Sequence, residues 1–530
     1  MLSLLPIGLN LISAAVIYVL STLKTNIGRV WLVAAILSIV NWGLILGLRW
    51  MYPIQLMVAE WFPIGEIYQR GIILQLDSIS WPIIIALCAV QTAVIITDSS
   101  RLDEIPSPII WSGIFLVYAV GILAALSSSI LTIFLVWALV DIIEFVVMIK
   151  TVSKVQQINE IVVSFAVKIL GLYFLIFGLL VSFNKGSPLR INQVTNEVGI
   201  FILIAVGLRL GVIPFNLPFV SGSPIRRGLG NAIRMVSVST SVIVLLRIPL
   251  GLFNESAQGI LLTLTAIGTF LGSIMWFGSS NELEGRPYWI ISLAGLAIYS
   301  SINGVQLATL SWSLVLILSG SVLFLFSARG RRLTILPLFA IIGIVGLPFT
   351  PAAVGWQGVI IPGNFFRNVF NLLSVAFIVL GYLQHASYQT ILLTNKERWI
   401  WLTYPIGLFI LILTHWFTFL LSDLAWYMSG IVYASVLAFV LPLLIYFVNR
   451  KYIKASEYSE LFQSILGPIG EFITKFLNLR WLYNLIWSFL GIFQKIVNIF
   501  TNILEGRGGI IWIIVFLIML ITLISSGDLI

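Results

Sequence analysis

Apolar runs of about twenty residues recur along nearly the whole chain, and they constrain its fold more than any other feature. A bilayer core about 30 Å thick is crossed by about 20 residues of helix. Inside it, every backbone N–H and C=O must be satisfied within the protein, which favours helices. The runs fall near 4–22, 30–49, 73–97, 109–127, 129–149, 160–183, 197–220, 226–250, 257–278, 287–303, 306–327, 333–350, 366–392, 400–421, 428–448 and 508–526. They predict an all-α polytopic membrane protein with about sixteen transmembrane helices. The first run, from Leu2 to about Thr22, has no basic stretch ahead of it and no small-residue cleavage site, so it reads as a first helix rather than a signal peptide. Of the 530 residues, 60% are hydrophobic and 9% charged. A soluble chain with that balance could not cover its surface, so lipid is the expected solvent.

The net charge of +9 does not point to nucleic acid, because the basic residues sit in short loops between apolar runs. Loops after odd-numbered runs carry more of them, including Lys24, Arg29, Arg101, Lys150, Lys154, Arg226, Arg227, Arg286, Arg329, Arg331, Arg332, Lys396, Arg398, Arg450, Lys451 and Lys454. Loops after even-numbered runs carry Arg49, Arg70, Lys185, Arg190, Arg247 and Arg367. The excess places the first set in the cytoplasm and the N-terminus outside a cell inner (plasma) membrane. Residues 451–507 mix apolar positions with Glu457, Glu460, Glu471, Lys475, Arg480 and Lys495, and with the aromatics Trp481, Tyr483 and Trp487. That pattern predicts a lateral amphipathic helix along the cytoplasmic surface. The expected organisation is therefore N-terminal helices over 1–127, a core over 128–392, further helices over 393–450, the lateral segment over 451–507 and a final helix over 508–530.

Few residues suit metal or cofactor chemistry. Cys88 is the one cysteine, and His385 and His415 are the only histidines. Disulfides and cysteine metal sites are excluded, and haem or zinc is not expected. No Walker motif or dinucleotide-binding glycine pattern is present, so no cofactor is expected in this chain.

Ionisable residues at bilayer depth tend to face the protein interior or a water path. Asp141 and Glu144 lie in the fifth run, three residues apart on one helix face. Two carboxylates that close retain one proton more readily than free groups, which suits a relay. The alternative is a pair neutralised by Lys168 or Arg209. Lys168, in the sixth run, either exchanges protons in a low dielectric or snorkels to the surface. Arg209 stays protonated, so it fixes a field or forms a structural ion pair without carrying a proton. Pro214 and Pro218 follow it and should break the seventh helix, making it flexible. Arg226 and Arg227 read as loop charges at the start of the eighth run, whereas Arg234, about two turns in, is expected to face the interior. His385, in the thirteenth run, suits a proton path or a hydrogen-bonded packing role. His415 beside Trp416 reads as interfacial, and Asp77 as an interfacial charge at the start of the third run.

Several segments resemble the antiporter-like subunits of respiratory complex I and of Mrp-type cation/proton antiporters. Leu76-Asp77-Ser78-Ile79-Ser80 is similar to the family's aspartate-glycine-leucine-serine at the third helix, and Ala166-Val167-Lys168 to its alanine-x-lysine. The stretch from Arg209 to Pro218 resembles its broken helix, and Ser223-Pro224 followed by Met235-Val236 its threonine-proline-valine-serine and later methionine-valine. Gly346-Leu347-Pro348-Phe349 resembles glycine-leucine-proline-proline-phenylalanine. The ending, with Trp481-Leu482-Tyr483, a lateral segment and a final helix, is similar to the largest subunit type. The chain departs from the family where charge matters. Trp137 is followed by Ala138 rather than glutamate, Arg209 stands for a lysine, and Gly230 or Asn231 stands for a histidine. A lysine is lost near Gly320, and Trp356 and Gln357 stand where another is expected.

The resemblance implies a membrane subunit that moves protons, or exchanges a monovalent cation for protons, coupled to redox chemistry in other subunits of a complex I-like or NADH dehydrogenase-like assembly. Asp141, Glu144, Lys168, Arg209, Arg234 and His385 are the expected path. One alternative is a transport-inactive scaffold that seals the membrane arm. Another is an energy-coupling membrane partner of an inorganic-carbon uptake enzyme. Expected partners are other membrane subunits, the bilayer, and protons or monovalent cations.

Overall fold

In the computed structural model the described residues are 4–23, 25–58, 72–104, 107–151, 155–184, 190–217, 225–249, 253–327, 333–387, 397–422, 431–452, scattered positions between 484 and 498, and 509–525. Pro218, the pair Ser223-Pro224 and most of the lateral segment 451–507 lie outside them, as do Lys24, Arg70, Lys154, Lys185, Arg329, Arg331, Arg332, Lys396 and Lys454. The protein is an all-α membrane protein. Eleven helices among the described residues are long and apolar enough to cross a membrane.

The helices are α1 (Leu5–Thr22), α2 (Ile27–Gly47), α3 (Ser80–Thr97), α4 (Ile109–Leu126), α5 (Ile130–Thr151), α6 (Val155–Asn184), α7 (Asn196–Leu210) and α8 (Arg227–Arg247). They continue as α9 (Glu255–Gly278), α10 (Glu282–Ile302), α11 (Gln306–Leu325), α12 (Ile335–Val345), α13 (Gly355–Val359), α14 (Phe365–Ser387), α15 (Ile400–Leu421) and α16 (Val432–Tyr452). The chain divides into two compact units at residues 471 and 472. The second unit contains α17 (Gly509–Ser525), an uncharged helix of aliphatic and aromatic residues.

Burial separates a centre from a rim. The apolar window of α3 is wholly buried and those of α8 and α11 are 94% buried, against 28% in α1. A helix apolar on all sides and buried on all sides belongs at the centre of a bundle. Lipid is the natural solvent for the outward side chains of α1 and α6, such as Ile12, Val19, Tyr173 and Phe177.

The structure corrects three sequence-based boundaries. The run near 73–97 is not one helix. Its first part, Ile72–Leu76, is a strand paired antiparallel with Ile54–Val58, placing Ile54 opposite Leu76. Asp77 ends the strand and caps α3, its Oδ1 accepting from the amides of Ile79 at 3.1 Å and Ser80 at 2.8 Å. The seventh run ends at Leu210, not near 220, because Gly211 adopts φ 78° and closes α7 with a left-handed C-cap. Glycine, three residues ahead of Pro214, terminates the helix. The twelfth run likewise stops at Val345, where Gly346 has φ 71°. The short helix α13 follows and was not anticipated.

Asp77 is more than an interfacial charge. Its Oδ2 accepts from Nη1 of Arg247 at 3.3 Å, while Nη2 of that arginine donates to the carbonyl of Ala125 at 3.2 Å. The ion pair ties the hairpin and the start of α3 to the end of α8. Asp77→Asn keeps the cap and loses the charge, whereas Asp77→Ala loses both. Thermal unfolding in detergent should rank wild type above Asn and Asn above Ala, the second step being about 1 kcal/mol for the cap. Equal midpoints for Asn and Ala would show that the cap contributes nothing.

Candidate functional site

The intramembrane acids and bases meet where α5, α6, α7 and α8 pack as neighbours. Three residues on two successive turns of α5 shape the site. Trp137 is fully buried, and its indole N–H donates to the carbonyl of Thr240 on α8 at 3.0 Å. The next turn presents Asp141 and, three residues later, Glu144, on one side of the helix.

The two carboxylates do not pair with each other. Each has its own cation, the neutralised arrangement that was the alternative to a shared-proton relay. Arg209 of α7 grips Asp141 with both Nη atoms, Nη2 donating to Oδ1 at 2.9 Å. Side-chain exposure is 1% for Arg209 and 0% for Asp141. The guanidinium carbon also lies 4.3 Å from the centroid of Trp137, and Nε donates to Ser241 Oγ at 3.3 Å. Gly171 of α6 lets α7 approach, since a Cβ there would stand 3.1 Å from the carbonyl of Ala205 and 3.2 Å from Cγ of Arg209. A bidentate, stacked arginine of this kind is a fixed charge rather than a proton carrier.

Lys168 of α6 donates to Glu144 Oε2 at 2.6 Å. The lysine points into the protein instead of snorkelling, and its side chain is 3% exposed. Ser237 Oγ of α8 lies 3.5 Å from the ammonium nitrogen. Beside the pair is a cavity of about 20 Å³ lined by Asp141, Glu144, Phe145, Met148, Ile161, Ser164, Phe165 and Lys168. About 10–15 Å³ suffices for one water molecule, and the polar groups facing this cavity could hold one. One turn beyond Glu144, Met148 packs with Ile161 and Ile225 and forms an apolar barrier. Phe145 and Phe165 stack at 4.3 Å beside it.

Arg234 of α8 is buried at 4% exposure, with Glu144 as a charged neighbour. His385 is not part of this group. It lies on α14, which packs on α9 and α16, and its Nε2 is 3.1 Å from both Ser279 Oγ and the carbonyl of Trp276. Pro214 is exposed beyond the end of α7. His415 is buried against Gly343 and is not interfacial. The serines of α8 were missed in the sequence reading. Their signal is the run Ser237-Val238-Ser239-Thr240-Ser241 inside an otherwise apolar helix.

The second half of the bundle is built differently. In α11 the segment Val315–Ser319 forms a π turn. Two of its carbonyls are taken by side chains: Trp289 Nε1 donates to Leu316 at 3.1 Å and Tyr382 Oη to Ser319 at 3.1 Å. The Trp289 indole fills the space a side chain at Gly320 would need. Trp276, Trp289, Phe324 and Tyr382 pack together here, with Trp276 and Trp289 5.2 Å apart. At Gly320, where the resemblance leads one to expect a lysine, the chain has this aromatic cluster instead.

No protein-family model matches the chain, and no curated protein matches it either. Solved structures do. A chain of the membrane-bound sulfane sulfur reductase, an archaeal respiratory membrane complex, superposes with a TM-score of 0.69 at 14% identity, covering 98% of this chain and 99% of that one. This chain shares its fold with membrane subunits of respiratory and antiporter complexes. A chain of the Mrp complex from Dietzia sp. DQ12-45-1b gives a TM-score of 0.66 at 13% identity over 94% of this chain, which spans 63% of the Mrp chain. A chain of respiratory complex I from Thermus thermophilus with bound aureothin gives 0.60 at 15% identity, over 79% of this chain and 99% of that one. The fold agrees with the resemblance to antiporter-like subunits read from the sequence motifs.

Proposed function

We propose that the chain is a subunit of a multi-subunit complex in the plasma membrane, with its N-terminus outside, and that it relays protons through Glu144 and Lys168. The relay serves proton translocation, or exchange of a monovalent cation for protons, coupled to chemistry in other subunits. The observation that carries this reading is the buried Lys168–Glu144 contact at 2.6 Å beside a water-sized cavity. A proton passing from the ammonium to the carboxylate converts an ion pair into an amine and a carboxylic acid. The pair has no net charge in either state, so the transfer avoids burying an extra charge. The Arg209–Asp141 pair beside it is held in place by the two Nη contacts and by the stacking on Trp137. Ser237 offers the next oxygen on α8, and the apolar barrier at Met148 and Ile225 blocks a continuous leak.

A scaffold reading applies to the second half alone. There the aromatic cluster around Trp289 stands where the sequence resemblance leads one to expect a lysine. The chain is therefore proposed to keep one relay and to seal the remainder. The test is proton uptake by sealed vesicles holding the whole assembly, comparing wild type with Glu144→Gln plus Lys168→Met. Neutral partners of similar size should preserve packing. Fewer protons moved per substrate turned over, with assembly intact, supports the relay. An unchanged ratio makes the whole chain a scaffold.

A further inference from the structure

Among the described residues, the end of the bundle where α8 and α10 begin gathers Arg101, Arg226, Arg227, Arg234 and Arg286 around Asp98 and Glu282. Arg227, the first residue of α8, pairs with Glu282 at 2.7 Å. Asp98 accepts from Trp111 Nε1 at 3.1 Å and faces Arg101 and Arg226. Arg286, in the second turn of α10, has as charged neighbours Arg227, Arg234, Arg101 and the single carboxylate of Glu282. It is only 2% exposed, yet among the described residues neither its Nε nor its Nη2 meets a protein acceptor. Its guanidinium lies over the Phe324 ring at 5.3 Å, and the missing side chain of Gly230 lets Nη1 pack closely on α8, where a Cβ would come within 3.0 Å. Arg101, which is partly exposed, also has Nε and Nη2 without a protein acceptor.

A guanidinium removed from water without acceptors is strongly unfavourable unless an anion accompanies it. The start of α8 adds to the attraction. Among the described residues no side chain caps it, so the positive end of its dipole faces the corner, with the Asp98 carboxylate beside Gly228 of the first turn. Guanidinium forks match the paired oxygens of oxyanions better than a spherical ion.

We propose that this corner binds a phosphate-type oxyanion between Arg286 and Arg101, against the first turn of α8. The phosphate comes either free from solution or from a phospholipid headgroup entering past the exposed edge of Arg101. This inference is independent of the proton relay.

The test is thermal unfolding of the full-length protein, first in detergent with inorganic phosphate against chloride at equal ionic strength. The second arm uses nanodiscs of phosphatidylglycerol against phosphatidylcholine. An unfolding midpoint that rises with the logarithm of phosphate concentration identifies the free ion. A rise with phosphatidylglycerol alone identifies the headgroup. Arg286→Met should abolish either response and unfold later than wild type in phosphate-free detergent, because the uncompensated cation is gone. Arg101→Gln, at the exposed edge, should weaken the response severalfold while leaving the fold intact. No response in either arm, or a full response in Arg286→Met, would overturn the proposal.

Discussion

Arg209→Met alone should destabilise the protein by about 3–5 kcal/mol, because it leaves the Asp141 carboxylate buried without its cation. Asp141 has no exposed side-chain surface, and the residues around it offer no second cation placed to take over, since Lys168 is committed to Glu144. Thermal unfolding of purified protein in detergent would measure the loss. Adding Asp141→Leu to the same variant should return most of it, since apolar residues of similar volume often replace a buried ion pair with little change in stability. The stacking on Trp137 at 4.3 Å is lost in both variants, so it cancels in the comparison. If the double variant unfolds as early as the single one, the stranded carboxylate is not the cause, and the arginine matters through packing on Trp137 and Ser241.

Gly320→Lys, which would write back the charge that the resemblance leads one to expect, should instead disrupt the second half. The new Cβ would meet the Trp289 indole directly. That ring is fully buried and anchored to the carbonyl of Leu316. Overpacking a close-packed core costs about 1–3 kcal/mol, and a lysine with no acid beside it adds the burden of a buried charge. Membrane yield and unfolding midpoint should both fall. Combining Gly320→Lys with Trp289→Ala should recover part of the loss by clearing space, leaving the charge contribution behind. A single variant as stable as wild type would mean that the aromatic cluster is loose enough to admit a lysine, weakening the case for a sealed half.

The membrane fold was legible because the bilayer imposes one length and one composition on every spanning helix. The ends of those helices were less legible. Proline marks a break in sequence, but at α7 and α12 the chain uses the left-handed conformation of Gly211 and Gly346. The strand at Ile72–Leu76 was hidden because its residues are as apolar as a helix and its partner strand lies many residues earlier. In the site, Asp141, Glu144, Lys168 and Arg209 were all visible as charges in apolar runs. Which acid would meet which base was not, because that depends on how α6 and α7 lie against α5. Arg286 and Arg247 were read as loop charges by the rule that sorts basic residues to one side. Both are buried in helices, where tertiary packing decides their surroundings.

The π turn in α11 has a consequence for comparing this chain with its structural relatives. A π turn holds one residue more than the α turn it replaces, and one residue of α helix is about 100° of rotation. Position-by-position matching of this helix with a plain α helix therefore holds on only one side of Val315–Ser319. On the other side each residue is paired with its neighbour's counterpart and faces a different direction. Against a relative whose equivalent helix lacks such a turn, positions beyond it are matched by superposing backbones rather than by counting along the sequence.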